Sequence, residues 1–226
     1  MTNVKARVSK GEQTRGIILD TALRLFAEKG YQAATMRDIA REAGCSLGLA
    51  YRYFARKEEM VLAFYLRCVE ELEGEVKSLP AGSMADRFEK ALRADIARVA
   101  PCRGAFGALF GVALSPESEL AVLGDSMAHV RERVWSTFLH VTEGASDAPR
   151  PRQCREVATI FYGIHLGLVL FWLQDRSPDQ RSTDDLIRLI HDLVKRVRPA
   201  LRLPPVSRML ARLARIVAPM FGPSTP

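Results

Sequence analysis

Nearly every stretch of this chain repeats its apolar residues at helical spacing, and few segments alternate as a strand does. From Thr14 to Lys29, Ile17, Ile18, Leu23, Leu25, Phe26 and Ala27 recur in this way, and Gly30 follows as a stop. The same reading predicts helices over 36–43, 47–54, 56–76, 83–99, 104–113, 117–142, 151–175 and 180–197. Pro101, Pro116, Gly144, Pro149, Pro151 and Pro178 fall between them, where helix-breaking residues belong. The fold class is therefore all-α. With 226 residues, 48% hydrophobic and 26% charged, there is apolar material for one moderate domain or two small ones.

The strongest local signal lies between Thr35 and Phe54. Thr35 precedes a short helix with Asp38 three residues on, close to a capping box with Asp in place of Glu. Gly44 closes that helix by supplying the left-handed conformation of a tight turn, and Ser46 caps the next helix. Two short helices around Gly44-Cys45-Ser46 make a helix-turn-helix, whose second helix can enter a major groove. Ile39 and Ala43 face inward with Leu49 or Ala50 and Phe54, which leaves the second helix's amino end free to meet a phosphate. Gly48 permits close backbone approach, Tyr51 and Tyr53 offer hydroxyls, and Lys57 can neutralise a phosphate.

Residues 44–48 also match Gly-x-Ser-x-Gly, the nucleophile elbow of serine hydrolases. That elbow needs a strand before its serine, and here a helix precedes Ser46. The serine reads better as a cap, and no enzymatic activity is expected.

Charge is distributed unevenly. Residues 1–60 hold 11 basic and 7 acidic side chains, residues 61–192 hold 15 and 19, and residues 193–226 hold 7 and none. A basic head and tail around an acidic middle suggest a polyanion at the ends. Cys45, Cys68, Cys102 and Cys154 lie far apart with no Cys-x-x-Cys pair, so neither a disulfide framework nor a zinc site is expected. No cofactor is expected either. The polar opening residues carry no secretory signal, and a cytoplasmic protein is the expectation.

The run Thr35-Met36-Arg37-Asp38-Ile39-Ala40-Arg41-Glu42-Ala43-Gly44-Cys45-Ser46-Leu47-Gly48-Leu49-Ala50-Tyr51-Arg52-Tyr53-Phe54-Ala55-Arg56-Lys57-Glu58 closely resembles the DNA-binding signature of TetR-type transcriptional regulators. Ile18-Leu19, Ala22-Leu23, Phe26-Ala27 and Gly30-Tyr31 agree with that family's first helix, so the likeness covers about residues 14–62. Cys45 departs from it, standing where the family more often has a small aliphatic residue. The resemblance implies a three-helix DNA-binding head followed by a larger helical domain for ligand binding and dimerisation. It divides the chain into a head with a basic arm (1–57), an effector and dimer domain (58–203) and an extension (204–226).

By position, the resemblance implies that Thr35, Tyr51, Tyr53 and Lys57 hold the DNA backbone. Arg37, Leu47, Gly48 and Arg52 would face base edges, with Ser46 capping the helix that carries them. The implied partners are double-stranded operator DNA, a second copy of the chain in a homodimer, and an unidentified small-molecule effector that releases the operator. Lys5, Arg7, Lys10 and Arg15 would form a loose basic arm.

In the middle of the chain Phe64, Tyr65, Phe88, Phe106, Phe110, Trp135, Phe138, Phe161, Tyr162 and His165 lie on predicted helices. They suit the wall of an effector pocket and suit a helical core equally well. Gly104, Gly107 and Gly111 predict a weak helix there. Residues 157–174 carry no formal charge, which reads as a helix buried on all sides and not as a membrane span. The resemblance pairs 151–175 and 180–197 with their copies in a four-helix dimer interface, with Gly163, Gly167, Leu170, Leu186, Leu189 and Leu193 near the crossing. After Pro204, a basic amphipathic helix over 207–218 is expected to pack on its own domain or on the second subunit, with an anionic membrane surface as the alternative. No membrane contact is otherwise expected.

Overall fold

The computed structural model describes residues 9–115, 117–118, 121, 124 and 127–221. Ten α-helices run through them: α1 Lys10–Lys29, α2 Met36–Glu42, α3 Leu47–Tyr53, α4 Lys57–Ser78, α5 Met84–Val99, α6 Arg103–Ala113, α7 Ala128–Glu143, α8 Pro151–Gln174, α9 Arg181–Val197 and α10 Pro204–Phe221. No strand occurs among the described residues. The chain divides into two compact units, one reaching Tyr65 and including Pro101–Gly111, the other comprising Leu66–Ala100 and the chain from Val112 onward. The first unit thus extends past residue 57, since Met60 and Val61 are fully buried parts of it, and it takes in most of α6.

In the first unit α1 starts earlier than its apolar spacing predicts. Ser9 Oγ accepts from the Glu12 amide at 3.2 Å and Glu12 Oε2 accepts from the Ser9 amide at 2.9 Å, a complete capping box. Lys10 and Arg15, expected in a loose arm, therefore sit on α1, while Lys5 and Arg7 lie outside the described residues. Ile18, Ala22, Leu25, Ile39, Ala50 and Phe54 close the core.

The second unit is built around a buried cation. Arg87 of α5 is 4% exposed and has no carboxylate partner among the described residues; its five N–H groups go to carbonyl oxygens. Nη2 donates to Val76 and His140 at 3.1 Å, Nη1 to Leu79 and Pro80 at 3.1 and 3.2 Å, and Nε to Val141 at 3.1 Å. These carbonyls belong to the last turns of α4 and α7 and to Leu79-Pro80 just after α4, where helix dipoles favour a positive charge. Gly144 leaves room for the guanidinium, because a Cβ there would lie 2.4 Å from Nη2. Beside it Phe88 stacks on Phe161 with centroids 3.7 Å apart.

Asp175 turns the chain from α8 into α9. Its Oδ1 accepts from Ser177 N and Oγ at 2.8 and 2.6 Å, and its Oδ2 from Thr183 N and Oγ1 at 2.9 and 2.6 Å. The Ser177 and Thr183 hydroxyl bonds hold this carboxyl well below the usual carboxylate range.

Two predicted features differ. The helix expected over 117–142 begins only at Ala128. Ahead of it the amides of Ser118, Ala121, Gly124 and Met127 each donate to the carbonyl three residues back, not four as in an α-helix; residues 119–120, 122–123 and 125–126 of the expected helix lie outside the described residues. Second, α10 is longer than 207–218 and packs along α8 through Ala214 and Phe221. A Cβ on Gly163 would lie 3.2 Å from the Phe221 ring. Gly163, expected at a dimer crossing, is therefore occupied by the chain's own last helix. Of the described helices only α8 is long and apolar enough to cross a membrane, with a mean hydropathy of 1.6, and half of that window is buried.

Replacing Arg87 by Met should cost about 3 kcal/mol in urea denaturation, because buried carbonyls lose a charged donor. Arg87→Lys should recover little of it, lacking the planar fork. For Asp175 the folded pKa lies below the unfolded one, so its stabilisation is complete above the ordinary carboxylate range and fades as pH falls from about 4. Asp175→Asn should lower the melting temperature at neutral pH, and the gap to wild type should close on acidification.

Candidate nucleic-acid interface

The helix-turn-helix is built by caps. Thr35 Oγ1 accepts from the Asp38 amide at 3.1 Å, and Asp38 Oδ2 accepts from the Thr35 amide at 3.2 Å and from its hydroxyl at 2.6 Å. The hydroxyl bond leads the contacts that lower the Asp38 pKa. At the far end of α2, Gly44 adopts φ +67°, its amide bonds Arg41 O, and the Cys45 amide bonds Ala40 O at 3.0 Å. This is a Schellman turn, and it explains Cys45: the position following the glycine favours a small apolar side chain. Ser46 Oγ then accepts from the Leu49 amide at 3.1 Å and starts α3. With helix α2 before it and this bond committed, Ser46 is a cap and the hydrolase spacing has no strand to support it.

On α3, Ala50 is fully buried and Leu47, Leu49 and Tyr53 are half-buried, whereas Gly48, Tyr51 and Arg52 are exposed. Positions i, i+3 and i+4 share one side of a helix, so those three form a single outward face. No atom lies within 4 Å of where a Gly48 Cβ would be, which leaves the backbone open to approach. Arg37, on the first turn of α2, is exposed as well.

Other expected contacts are more engaged. The Thr35 hydroxyl already donates to Asp38. The Tyr53 hydroxyl lies beside Gly11 at the amino end of α1. Lys57 is half-buried: its Nζ donates to Tyr31 O at 2.6 Å and Ala34 O at 3.0 Å, and stands 4.3 Å from the Tyr31 ring centroid. The Tyr31 hydroxyl donates to Glu58 at 2.6 Å, and burial together with that bond pushes its pKa up. Lys57 is thus a brace between α4 and the loop after α1, with one N–H left for an outside acceptor. Sequence spacing shows its charge but not this loop. Arg15, expected in a loose basic arm, instead holds its guanidinium carbon 4.6 Å from the Phe54 ring centroid.

The aromatics expected around an effector separate into two groups. Phe64 and Tyr65 meet Phe106 edge to face in the first unit, and Phe110 is half-buried. In the second, Phe88, Phe138, Tyr162 and His165 pack on one another. His165 Nε2 lies 2.8 Å from Asp95 Oδ2, and Trp135 Nε1 donates to Thr159 Oγ1 at 3.0 Å. Leu189 and Leu193 of α9 are about half exposed, Leu186 and Leu170 less so, and Gly167 has open space above it.

Comparison with known proteins agrees with this architecture. Residues 18–64 match the family described as bacterial regulatory proteins, tetR family, and residues 96–209 match the tetracyclin repressor-like C-terminal domain. The chain is 24% identical over 185 residues to the HTH-type transcriptional repressor KstR of Rhodococcus jostii, covering 79% of this chain and 80% of that protein. It is 53% identical over 47 residues to KstR2 of Mycobacterium tuberculosis, a match spanning 21% of this chain and 24% of KstR2. A tetR-family regulator from Streptomyces coelicolor has the same fold, with a TM-score of 0.60, 21% identity and coverage of 94% of this chain and 92% of that one. The chain carries a DNA-binding helix-turn-helix and a helical C-terminal domain, the two parts of a transcriptional regulator. It belongs to the TetR family.

The brace predicts a separation of effects. Lys57→Met should lower stability by about 2 kcal/mol, the value of charge-assisted bonds to carbonyls. Tyr51→Phe should leave the melting temperature unchanged, since Tyr51 is 49% exposed.

Proposed function

We propose that the chain is a homodimeric repressor that binds a roughly palindromic operator and leaves it when a small molecule binds. The observation that carries this reading is the outward face of Gly48, Tyr51 and Arg52 on a capped α3. In the major groove, Arg52 and Arg37 read base edges, Gly48 admits the backbone, and Leu47 meets a thymine methyl or nothing. Tyr51 and Tyr53, the last N–H of Lys57 and the neighbourhood of Thr35 hold phosphates. Repression is supported by the relatives named as repressors. A protein with this task works in the cytoplasm, where the DNA is.

The proposed division is a head over 1–57, an effector and dimer domain over 58–203 and an extension over 204–226. Dimerisation is assigned to the carboxyl half of α8 and the adjoining part of α9. Gly167, Leu170, Leu186 and Leu189 lie there, with Leu193 at the margin. Leu189 is 53% exposed although the other side of α9 buries Ile187 and Ile190. A helix apolar on two sides calls for a second partner. Two heads held in this way span successive major grooves, and an effector that favours the conformation unable to span them releases the DNA. Within the second unit, the effector's wall is drawn from Phe88, Trp135, Phe138, Tyr162 and His165.

Fluorescence anisotropy on DNA flanking the chain's own gene, against random DNA of equal length, tests the reading. A preference on the order of 10³ with a steep salt dependence is expected. Arg52→Ala should remove about 1–3 kcal/mol of it, and Leu189→Glu should shift sedimentation to monomer and weaken operator binding. Equal binding to both DNAs at every site tried, or a Leu189→Glu variant still dimeric, would overturn the corresponding part.

A further inference from the structure

The second unit contains a cleft of 570 Å³ with four arginines in its wall and no acidic residue among those lining it. Arg150 precedes α8, Arg198 and Arg202 lie in the turn after α9, and Arg208 is in α10. Arg198 is 8% exposed and donates through Nε and Nη2 to Asp147 O, with Asp147 Oδ2 at 3.7 Å. Arg208 makes one bond, from Nε to Pro204 O at 3.3 Å. Arg150 and Arg202 are exposed and form no ion pair among the described residues. Gln153 Nε2 donates to Leu201 O at 2.9 Å and Ser207 Oγ at 3.1 Å, which ties the start of α10 to α8. The amino ends of these two long helices open on the same cleft and add to its positive potential.

Four cations lining one cleft, with Asp147 the only acid paired with them among the described residues, repel one another unless an anion joins them. A planar guanidinium matches the oxygens of a phosphate in pairs, and several of them match more than one negative charge. The cleft does not end there. Arg198 and Leu201 are shared with a groove of 280 Å³ whose other lining residues are all apolar, among them Val157, Ile160 and Ile164 of α8, Leu193 of α9, and Met209 and Leu213 of α10. Met209 is 68% exposed and Leu213 46%, a considerable apolar surface to leave in water.

We infer that the joined cleft and groove bind a monomeric anionic amphiphile, with a phosphate-class head among Arg150, Arg198, Arg202 and Arg208 and an aliphatic tail between α8, α9 and α10. Charge complementarity selects the head, and the continuous apolar wall from Arg198 onward selects the tail. A role for this site in releasing DNA rests on the regulator reading above; its occupancy does not.

Isothermal titration of the full chain with n-dodecyl phosphate, below its micelle concentration, tests the assignment without DNA. Saturable binding of one molecule per chain is expected, at least about tenfold tighter than inorganic phosphate or dodecyl maltoside, which carry only the head or only the tail. Arg150→Gln with Arg202→Gln should weaken it by about tenfold or more, the value of lost charge-assisted bonds, with the melting temperature of the free protein unchanged. Leu213→Gln should weaken dodecyl phosphate and leave inorganic phosphate as it was. Absence of saturable binding, or an unaltered affinity in the double arginine variant, would overturn the site. Equal binding of the maltoside would reduce the groove to a detergent-adsorbing surface and overturn the head. Binding to phosphatidylglycerol vesicles without binding of the monomer would replace the site by a membrane contact. Failure of the titration leaves operator binding untouched, and failure of operator binding leaves the titration untouched.

Discussion

The second unit depends on a charge placed where an apolar residue would be ordinary. Arg87 sits among Phe88, Val141 and the carboxyl ends of α4 and α7, and its donors are met by main-chain oxygens without help from a carboxylate. A buried ion is usually costly. Here the negative ends of two helix dipoles and five carbonyl bonds offset that cost, and the result is directional as an apolar plug could not be. It sets where α4 must stop, which turn follows at Leu79-Pro80, and why residue 144 is glycine. The same α4 begins at Lys57, where an ammonium holds two more carbonyls. Each end of this helix thus lies beside a cation that donates to main-chain oxygens.

The helix-turn-helix was almost wholly legible in the amino-acid order, because everything that makes it is local. Thr35 and Asp38, Gly44 and Ser46 act on amides and carbonyls within five residues of themselves, so spacing alone reveals them. The Ser9–Glu12 box is equally local, yet it stands ahead of the first apolar residue, where hydrophobic spacing carries no helix signal. The turns between Ser118 and Met127 went unseen for the converse reason, since the segment is apolar enough to imitate a helix and carries a single glycine in its middle.

What could not be read were the contacts between residues far apart in sequence. Arg87 looks in the sequence like any surface arginine of an amphipathic helix; only the approach of residues 140 and 141 gives it a role. The covering of Gly163 by Phe221 is of the same kind. The glycine spacing Gly163–Gly167 announces that something comes close to α8, but not whether it is another subunit or the chain's own end. Once α10 lies on the amino half of α8, the open part of that face contracts to the carboxyl half around Gly167, where the proposed second copy would meet it.

This contraction also changes the meaning of the basic tail. Read as a sequence, seven positive side chains after residue 192 with no acid suggest the same polyanion that the head contacts. Folded, they do not form one surface. Arg198, Arg202 and Arg208 turn toward Arg150 around a single cleft, while Arg212 and Arg215 lie farther along α10. A patch that tracks a nucleic-acid backbone needs its charges strung out along a face. Arginines lining one cleft suit a compact anion, and the fold groups them there: Gln153 ties Ser207 at the start of α10, beside Arg208, to Leu201, beside Arg202. The two basic ends of this chain are therefore alike in composition and different in geometry, one presenting Arg37 and Arg52 on open helical faces and the other lining a single cleft with Arg198, Arg202 and Arg208.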